Sequence, residues 1–473
     1  MSTLFRNTFY TSLAQGCQMV MAVVLFKVAS SRLGSAGFGS YSLATTVMFF
    51  VLLFDDFGLN TLAVREIARD KKHTPILFNQ LWTFKLVLLS LSVLFLSAFM
   101  LATAQRYDGP TRMTILIFSV CGVLSSFTQL GYAVFRAHER MEYETIITVV
   151  EKTVYTLLGI MVLALGMGLV PFSWTFALAS GVSLFLAVRF LKAKFVTWTW
   201  LYDFSAFRHL LGAALPFGIA LFITSLYGQL DIVMLSVMKD MKAVGLYSVA
   251  HKLLNYTSLI PTIFVTAFFP KFSIHVKDKD ALSRIFTTGF KYLSMVALPL
   301  IPAVIILSPK LVVFFSSPDY LGATGAMAVM SVTSALNFIN MFLAGMYGAT
   351  NHQNRILAIE TAGLFLNVAG NIILIPKYSF MGSAYATVAT EGLVTAFALS
   401  WSLRHIAVMR EWGYLLKALL ATGAMCALLL FVTRPFHLLI NIALGAAVYF
   451  AVLFLTRALD LKHIRGLFRE LKG

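Results

Sequence analysis

Residues 78–104 read FNQLWTFKLVLLSLSVLFLSAFMLATA, an apolar run in which Lys85 is the one charged side chain. The hydrocarbon core of a bilayer is about 30 Å thick, and a helix of about 20 apolar residues crosses it. This run is therefore long enough to span a membrane. Because runs of the same kind recur along the whole chain, we predict about fourteen transmembrane helices.

The predicted spans form two sets of seven. The first set covers residues 7–31, 38–64, 78–104, 113–135, 145–168, 172–193 and 210–237. The second set covers residues 243–270, 286–308, 322–348, 354–375, 381–403, 414–433 and 437–456. The polar stretches between them are too short to fold as soluble domains, so the pattern predicts an all-α integral membrane protein.

The composition supports this class. Hydrophobic residues make up 59% of the chain and charged residues 12%, whereas soluble domains average roughly 45–50% and 25%. The net charge of +17 is not accompanied by the basic and aromatic clusters of nucleic-acid-binding proteins, so we expect it to face lipid headgroups. Cys17, Cys121 and Cys426 lie inside apolar runs and are expected to be packing residues. With no nucleotide, metal or nucleophile motif, we expect neither an enzyme nor a bound cofactor.

The distribution of basic residues predicts the orientation. If the N-terminus is inside, 23 of the 37 lysines and arginines lie in cytoplasmic loops and eight in outer loops. Cytoplasmic loops normally carry this excess. We therefore expect both termini in the cytoplasm, the cell inner membrane as location, and a first helix that is retained because no cleavage signal follows it.

An internal repeat is visible at an offset of 206 residues. The segment GSYSLA at 39–44 matches GLYSVA at 245–250, and the pair Phe84-Lys85 matches Phe290-Lys291. Transporters are often built from duplicated halves. We therefore expect a six-helix lobe at 1–194, a cytoplasmic linker at 195–209, a second lobe at 210–404, and two extra helices with a basic tail at 405–473. Trp198, Trp200, Tyr202, Phe204 and Phe207 in the linker are typical of a segment at headgroup depth.

Ionisable residues inside the predicted spans are the main functional signal, since burying a charge in hydrocarbon is costly and such residues usually face a polar interior. We expect Lys27, Asp231 and Lys252 to face a central cavity, because they come from corresponding places in the two halves. The full set of candidate substrate-binding residues is Lys27, Asp55, Asp56, Asp231, His251, Lys252 and Glu391.

Each ionisable group also has a structural explanation. Lys85, Lys291 and Lys417 lie near cytoplasmic span ends and are expected to reach the headgroups with their long side chains. The segment Asp56–Leu59 is equally consistent with a helix break in which the aspartates bind exposed amides. The neighbours Glu151 and Lys152 are either a structural charge pair or part of a pathway.

Several motifs together resemble the polysaccharide or O-antigen flippases of the multidrug/oligosaccharidyl-lipid/polysaccharide exporter superfamily. The resemblance covers roughly residues 1–405. It rests on RLG at 32–34, GSYSLA at 39–44, DFGL at 56–59, VREIAR at 64–69, DIVML at 231–235, GLYSVA at 245–250, LIPKY at 374–378 and GSAYAT at 382–387.

The resemblance implies two lobes around a cavity that opens alternately to either side of the membrane, with a polyprenyl-diphosphate-linked oligosaccharide as substrate. Lys27 and Lys252 would then face the diphosphate, and Asp231 would pair with a lysine or accept sugar hydroxyls. The sequence leaves three energy sources open, a proton gradient, a sodium gradient or the membrane potential, and we expect membrane lipids and other polysaccharide-assembly proteins as partners. The alternatives are a cation-coupled multidrug exporter, a lipid II flippase, and, from another class, a membrane glycan polymerase or ligase.

The predicted topology is testable with reporter fusions. Fusions at Lys72 and Lys277 should report a cytoplasmic location and fusions at Asp108 and Asp240 an external one, because of the bias in loop charge. Alkaline phosphatase and green fluorescent protein activities give the two signals. The reverse pattern at either pair of sites would contradict the topology.

Overall fold

A computed structural model describes residues 3–199, 204–409, 411–432 and 436–459. Those residues are almost entirely helical, and they contain no β-strand. Helices satisfy their own backbone hydrogen bonds, which a bilayer cannot do for them. The predicted all-α membrane class is confirmed.

Fifteen helices, labelled α1 to α15, follow one another in the described residues. They are α1 (Thr3–Asp56), α2 (Leu59–Arg69), α3 (Thr74–Ala102), α4 (Gly109–Ala137), α5 (Met141–Ala164), α6 (Leu169–Lys194), α7 (Phe204–Met238), α8 (Met241–Asn255), α9 (Leu259–Ile274), α10 (Lys279–Phe315), α11 (Thr324–Ala349), α12 (Gln353–Tyr378), α13 (Phe380–His405), α14 (Gly413–Ala427) and α15 (Leu438–Leu455). Asp108 and Asp278 cap α4 and α10 by accepting hydrogen bonds from backbone N–H groups.

The number of spans agrees with the sequence once α1 is divided. Within the described residues, twelve helical stretches are long and apolar enough to cross a bilayer. One of them, Leu13–Asp56, lies within α1, whose helical geometry is interrupted at Gly34, where φ is 68° and ψ is 175°. Counting both arms of α1 gives thirteen, and the 26-residue α13, which is not among the twelve, corresponds to the span predicted at residues 381–403.

Two predicted spans contain breaks that the hydropathy pattern did not show. The second span is interrupted between α1 and α2, and the eighth consists of α8, one tight turn at Tyr256–Ser258, and α9. Pro261 follows that turn and has no N–H with which to bond the carbonyl of Thr257. The Thr257 hydroxyl instead donates to the Leu254 carbonyl at 2.6 Å, so a side chain supports the turn.

The chain divides into two compact units, Met1–Gly245 and Leu246–Gly473. In the first unit, aromatic and aliphatic residues of α2, α3, α4 and α6 form one core, with Phe78, Leu130 and Phe135 fully buried. In the second unit, Phe286 and Phe338 lie at the centre of a core built from α9 to α11 and α13 to α15. The lobe and linker boundaries predicted from the sequence stay a prediction.

The first part of the predicted linker packs tightly on α3. The side-chain amide of Asn79 donates to the Thr197 carbonyl at 2.9 Å, and the Trp198 ring lies 4.5 Å from that of Trp82. The Lys192 amine lies over the Trp198 ring, 5.3 Å from its centre. Trp200, Tyr202 and the basic tail after residue 459 lie outside the described residues.

Two glycines of the repeat contact each other's helices within the first unit. A Cβ added to Gly39 would overlap the carbonyl oxygen of Met241, and one added to Gly245 would overlap that of Ser35. Gly245 is the repeat counterpart of Gly39, and Met241 is that of Ser35, both at an offset of 206 residues. The contact is therefore reciprocal, and only glycine lets the two backbones approach so closely.

Alanine at either glycine should destabilise the protein. Gly39→Ala and Gly245→Ala force backbones apart, at a cost of roughly 1–3 kcal/mol each. Gly181→Ala in α6 is the matched control, because an added Cβ there meets nothing within 4 Å. Thermal unfolding of the three purified variants in detergent checks this. Equal melting temperatures for all three would contradict the close crossing.

Candidate functional site

A buried group of charges lies where α1 ends. Lys85 of α3 is fully buried, and its amine donates to Asp56 Oδ1 at 3.2 Å, to the Asp55 carbonyl at 3.3 Å and to Ser126 Oγ at 2.7 Å. The expectation that Lys85 reaches the headgroups is therefore wrong. The lysine turns inward because the end of α1 offers it a carboxylate and a backbone carbonyl that would otherwise face hydrocarbon.

The helix break itself follows from the DFGL sequence. Phe57 and Gly58 adopt positive φ values of 40° and 86°, which ends α1 and starts α2 in a new direction. Asp56 Oδ1 accepts a hydrogen bond from the Asn60 N–H at 3.1 Å, so it satisfies an amide exposed by the break. The prediction that an aspartate binds such an amide is confirmed for Asp56.

A glycine of α7 allows close packing on this break. A Cβ added to Gly218 would lie 2.6 Å from the Phe57 carbonyl oxygen. Phe222, one turn further along α7, has its ring 5.5 Å from that of Phe54. The break is thus covered by α7 in the first unit, and water has little access to the buried charges beneath it.

Asp55 is the unusual member of the group. Its side chain is fully buried, and its carboxyl group lies beside Lys85, Asp56 and Ser126. Two carboxyl groups, those of Asp55 and Asp56, accompany the one ammonium of Lys85. Such an excess of buried carboxyl groups over ammonium groups is uncommon in a medium of low dielectric constant, and it is found mainly at functional sites.

The remaining predicted site residues are spread over both units. In the first unit Lys27 lies on an exposed face of α1 and Asp231 is buried in α7. In the second unit the rings of His251 and Tyr247 stack at 5.8 Å, and Lys252 is half-buried in the last turn of α8. Glu391 of α13 accepts a hydrogen bond from the Asn340 amide at 2.6 Å. Their proposed contact with substrate stays a prediction.

Two further ion pairs involve residues of the predicted spans. They are Glu151 with Lys152, and Lys291 with Glu411. Lys152 donates to its own neighbour Glu151 at 2.8 Å within α5, and its amine lies 5.6 Å from the centre of the Phe176 ring in α6. Lys291 is partly exposed and lies 3.6 Å from Glu411. Lys291 therefore differs from its repeat counterpart Lys85, although the two sequences match there.

Buried amides are the residues that the sequence analysis missed. Asn371 of α12 is fully buried and donates to the Asn367 Oδ1 at 2.9 Å, while Asn367 donates to Thr387 Oγ1 of α13 at 3.5 Å. Two asparagines four residues apart in an apolar helix share one face. The sequence shows that spacing. The candidate site was predicted from ionisable residues alone, so these uncharged asparagines were not included. In the described residues, no group of three or more His, Cys, Asp or Glu is arranged to hold a metal ion.

The fold defines a class of membrane protein. It is similar to a structure of the lipid II flippase MurJ in an inward closed conformation, with a TM-score of 0.78 at 16% identity over 96% of this chain and 99% of that one. It is also similar to an inward-facing multidrug resistance transporter of the MATE family in the MOP superfamily, with a TM-score of 0.70 at 14% identity over 85% of this chain and 98% of that one. The chain thus shares its fold with these two transporters.

Sequence comparison identifies the family within that class. The family model described as "Polysaccharide biosynthesis protein" matches residues 4–275, so the chain belongs to this family. It is 21% identical over 425 residues to a "Putative O-antigen transporter" of Escherichia coli strain K12, covering 84% of this chain and 96% of that protein. It is 18% identical over 454 residues to a "Probable low-salt glycan biosynthesis flippase Agl15" of Haloferax volcanii, covering 93% of each. The resemblance seen in the sequence is confirmed.

Removing the buried lysine should be strongly destabilising. Lys85→Met leaves Asp56 buried without its cation, which typically costs about 3–5 kcal/mol. Lys291→Met is the matched control from the repeat, and its partly exposed pair should cost less than about 1 kcal/mol. Melting temperatures in detergent measure both.

A double variant separates charge from packing. Lys85→Met combined with Asp56→Asn removes both charges, and it should recover part of the stability lost in the single variant. If Lys85→Met alone unfolds at the same temperature as Lys291→Met, the buried ion pair does not contribute as described.

Proposed function

We propose that this protein is a flippase that moves a polyprenyl-diphosphate-linked oligosaccharide from the cytoplasmic to the outer leaflet for cell-surface polysaccharide synthesis. The observation that carries the proposal is membership in the polysaccharide biosynthesis protein family, matched over residues 4–275. Relatives that align over most of the chain are named as an O-antigen transporter and a glycan flippase. The MOP fold supports a transporter that works by alternating access.

The chemistry of the substrate suits the residues in the spans. A sugar-diphosphate headgroup requires a polar and preferably cationic path, whereas its polyprenyl chain can stay in lipid. Lys27 and Lys252 are the cations we assign to the diphosphate, because charge-assisted hydrogen bonds to phosphate oxygens are strong. Asp231, His251 and Glu391 are assigned to sugar hydroxyls or to pairing with these lysines.

The buried carboxyl group of Asp55 supports coupling to an ion gradient. One ammonium group beside two carboxyl groups leaves one negative charge without a balancing cation. A proton is the smallest cation that could neutralise it in a site closed to water. We infer that transport is driven by a proton gradient, with a sodium gradient or the membrane potential as the other choices. The proposed location is the cell inner membrane with both termini in the cytoplasm.

Two other transported substrates and one enzyme class are the alternatives that an experiment must distinguish. A multidrug exporter would take cationic drugs and a lipid II flippase would take a peptidoglycan precursor. A glycan polymerase or ligase would act on the same lipid carrier but would join sugars. The analysis of lipids from a deletion strain distinguishes them, since our proposal expects one lipid-linked oligosaccharide to accumulate on the cytoplasmic face. Accumulation of lipid II, or of unpolymerised glycan outside, would contradict it.

The two proposed cations give a sharper test. Lys27→Ala and Lys252→Ala should each lower surface glycan by roughly 10–100-fold, the loss expected from one charge-assisted hydrogen bond of about 1.5–3 kcal/mol. Lys27→Arg and Lys252→Arg keep the charge and should retain part of the activity. The measurement is a cell-surface glycan assay with membrane abundance determined in parallel.

A loop lysine serves as the control. Lys71 is exposed in the loop after α2, and Lys71→Ala should leave export unchanged. Wild-type export by both alanine variants in the spans would refute the cationic path while leaving the flippase proposal intact. No accumulated lipid-linked oligosaccharide in the deletion strain would refute the flippase proposal itself.

A further inference from the structure

A cavity of about 440 Å³ lies between α12 and α13 in the second unit. These two helices are antiparallel and joined at Ser379, so the start of α12 and the end of α13 lie at the same end of the pair. The cavity runs from that end along the groove between them. Its lining residues change in character along this path, from basic to apolar.

Basic and aromatic side chains form the end of the cavity near the helix termini. The Arg355 guanidinium lies over the Trp401 ring at 5.9 Å, and the His405 ring stacks on the same indole at 4.6 Å. Arg404, next to His405, also lines the cavity. Among the described residues that line it, none is acidic. The arrangement therefore attracts an anion.

Helix stability does not account for Arg355. It lies in the first turn of α12, where the helix dipole favours acidic residues and disfavours basic ones. The indole beneath it is held firmly, because Trp401 stacks on the fully buried Tyr347 at 5.3 Å. The Tyr347 hydroxyl in turn donates to the Ala398 carbonyl at 2.9 Å. The basic end is therefore a fixed surface on which Arg355, Arg404 and His405 lie together.

The other end of the cavity is apolar and open. Ile359, Ala362 and Leu366 of α12 share one face at helical spacing, opposite Leu393 and Phe397 of α13. Leu366 is 47% exposed and Phe397 is 63% exposed. From Arg355 to Leu366 the helix rises by about 16 Å, close to half the thickness of the hydrocarbon core. The groove thus matches one acyl chain in length and in polarity.

We propose that this cavity binds an anionic phospholipid of the surrounding membrane. The phosphate lies between Arg355, Arg404 and His405, and one acyl chain follows the groove past Ala362 and Leu366. A basic rim joined to an apolar groove selects a ligand that is anionic at one end and apolar along its length. The site is separate from the residues assigned to the transported oligosaccharide, and it does not depend on the proposed function.

The charge of the site is tested by counting bound lipid. The full-length protein, purified in a neutral detergent, is titrated with dioleoylphosphatidylglycerol, and bound lipid is measured by native mass spectrometry. The double variant R355Q/R404Q should bind roughly 30-fold more weakly, the loss expected for two basic residues near an anionic headgroup. The matched control K71Q/K72Q also removes two exposed positive charges and should bind as the wild type does.

The groove is tested by filling it. Ala362 is exposed to the cavity, so Ala362→Trp should fold normally and exclude the acyl chain, with a loss of lipid binding at least as large as that of R355Q/R404Q. Dioleoylphosphatidylcholine should bind weakly to all variants, and inorganic phosphate should not displace the anionic lipid. Melting temperatures without added lipid confirm that the variants are folded.

Four outcomes of the experiments above would overturn the proposal, and a fifth comes from a different lipid. The four are equal losses in R355Q/R404Q and K71Q/K72Q, wild-type lipid binding by A362W, equal binding of phosphatidylcholine, and displacement by inorganic phosphate. Binding of undecaprenyl phosphate without binding of phosphatidylglycerol would also overturn it, because the site would then belong to the carrier lipid of the substrate.

Discussion

The structure depends on one constraint, that backbone N–H and C=O groups in hydrocarbon must find hydrogen-bond partners within the protein. Continuous helices meet it alone. Where a helix breaks, side chains must take over, and the end of α1 shows how. Asp56 accepts a hydrogen bond from the Asn60 amide, and Lys85 donates one to the Asp55 carbonyl. These charged side chains therefore bond backbone groups that the break leaves without helical partners. At the break between α8 and α9 the uncharged hydroxyl of Thr257 does the same.

The fold class and the approximate number of spans follow from the sequence, because hydrophobic length is a property of a contiguous stretch. The break at Tyr256–Ser258 was not predicted, since hydropathy averages over the few residues that interrupt a helix, whereas Gly34 lies in the gap predicted between the first two spans, at residues 32–37. The DFGL break was anticipated because it carries two signals at once, a glycine and acidic residues in an apolar run. A short charged motif inside an apolar run therefore predicted a helix break, whereas the break at the uncharged residues Tyr256–Ser258 was not predicted.

The candidate site was harder to predict than the fold. Sequence position placed Lys85 within reach of the membrane surface, but its direction is set by Asp56 and Ser126, which lie on other helices. Partners distant in sequence cannot be inferred from hydropathy. The same reason explains why Lys85 and Lys291 match in the repeat yet differ in burial. Matching residues in duplicated halves need not retain matching environments.

The reciprocal contact of Gly39 and Gly245 has an evolutionary consequence. A residue that meets its own repeat counterpart makes the kind of contact found across the two-fold axis of a homodimer, where one patch pairs with a copy of itself. In such an ancestor a single glycine would serve both sides, and one mutation would alter the contact twice. In a single chain with two such halves, each glycine can be replaced separately. Glycine stands at both positions here, and a Cβ at either would overlap a backbone oxygen of the other helix, so a change in one half cannot be relieved by the glycine in the other.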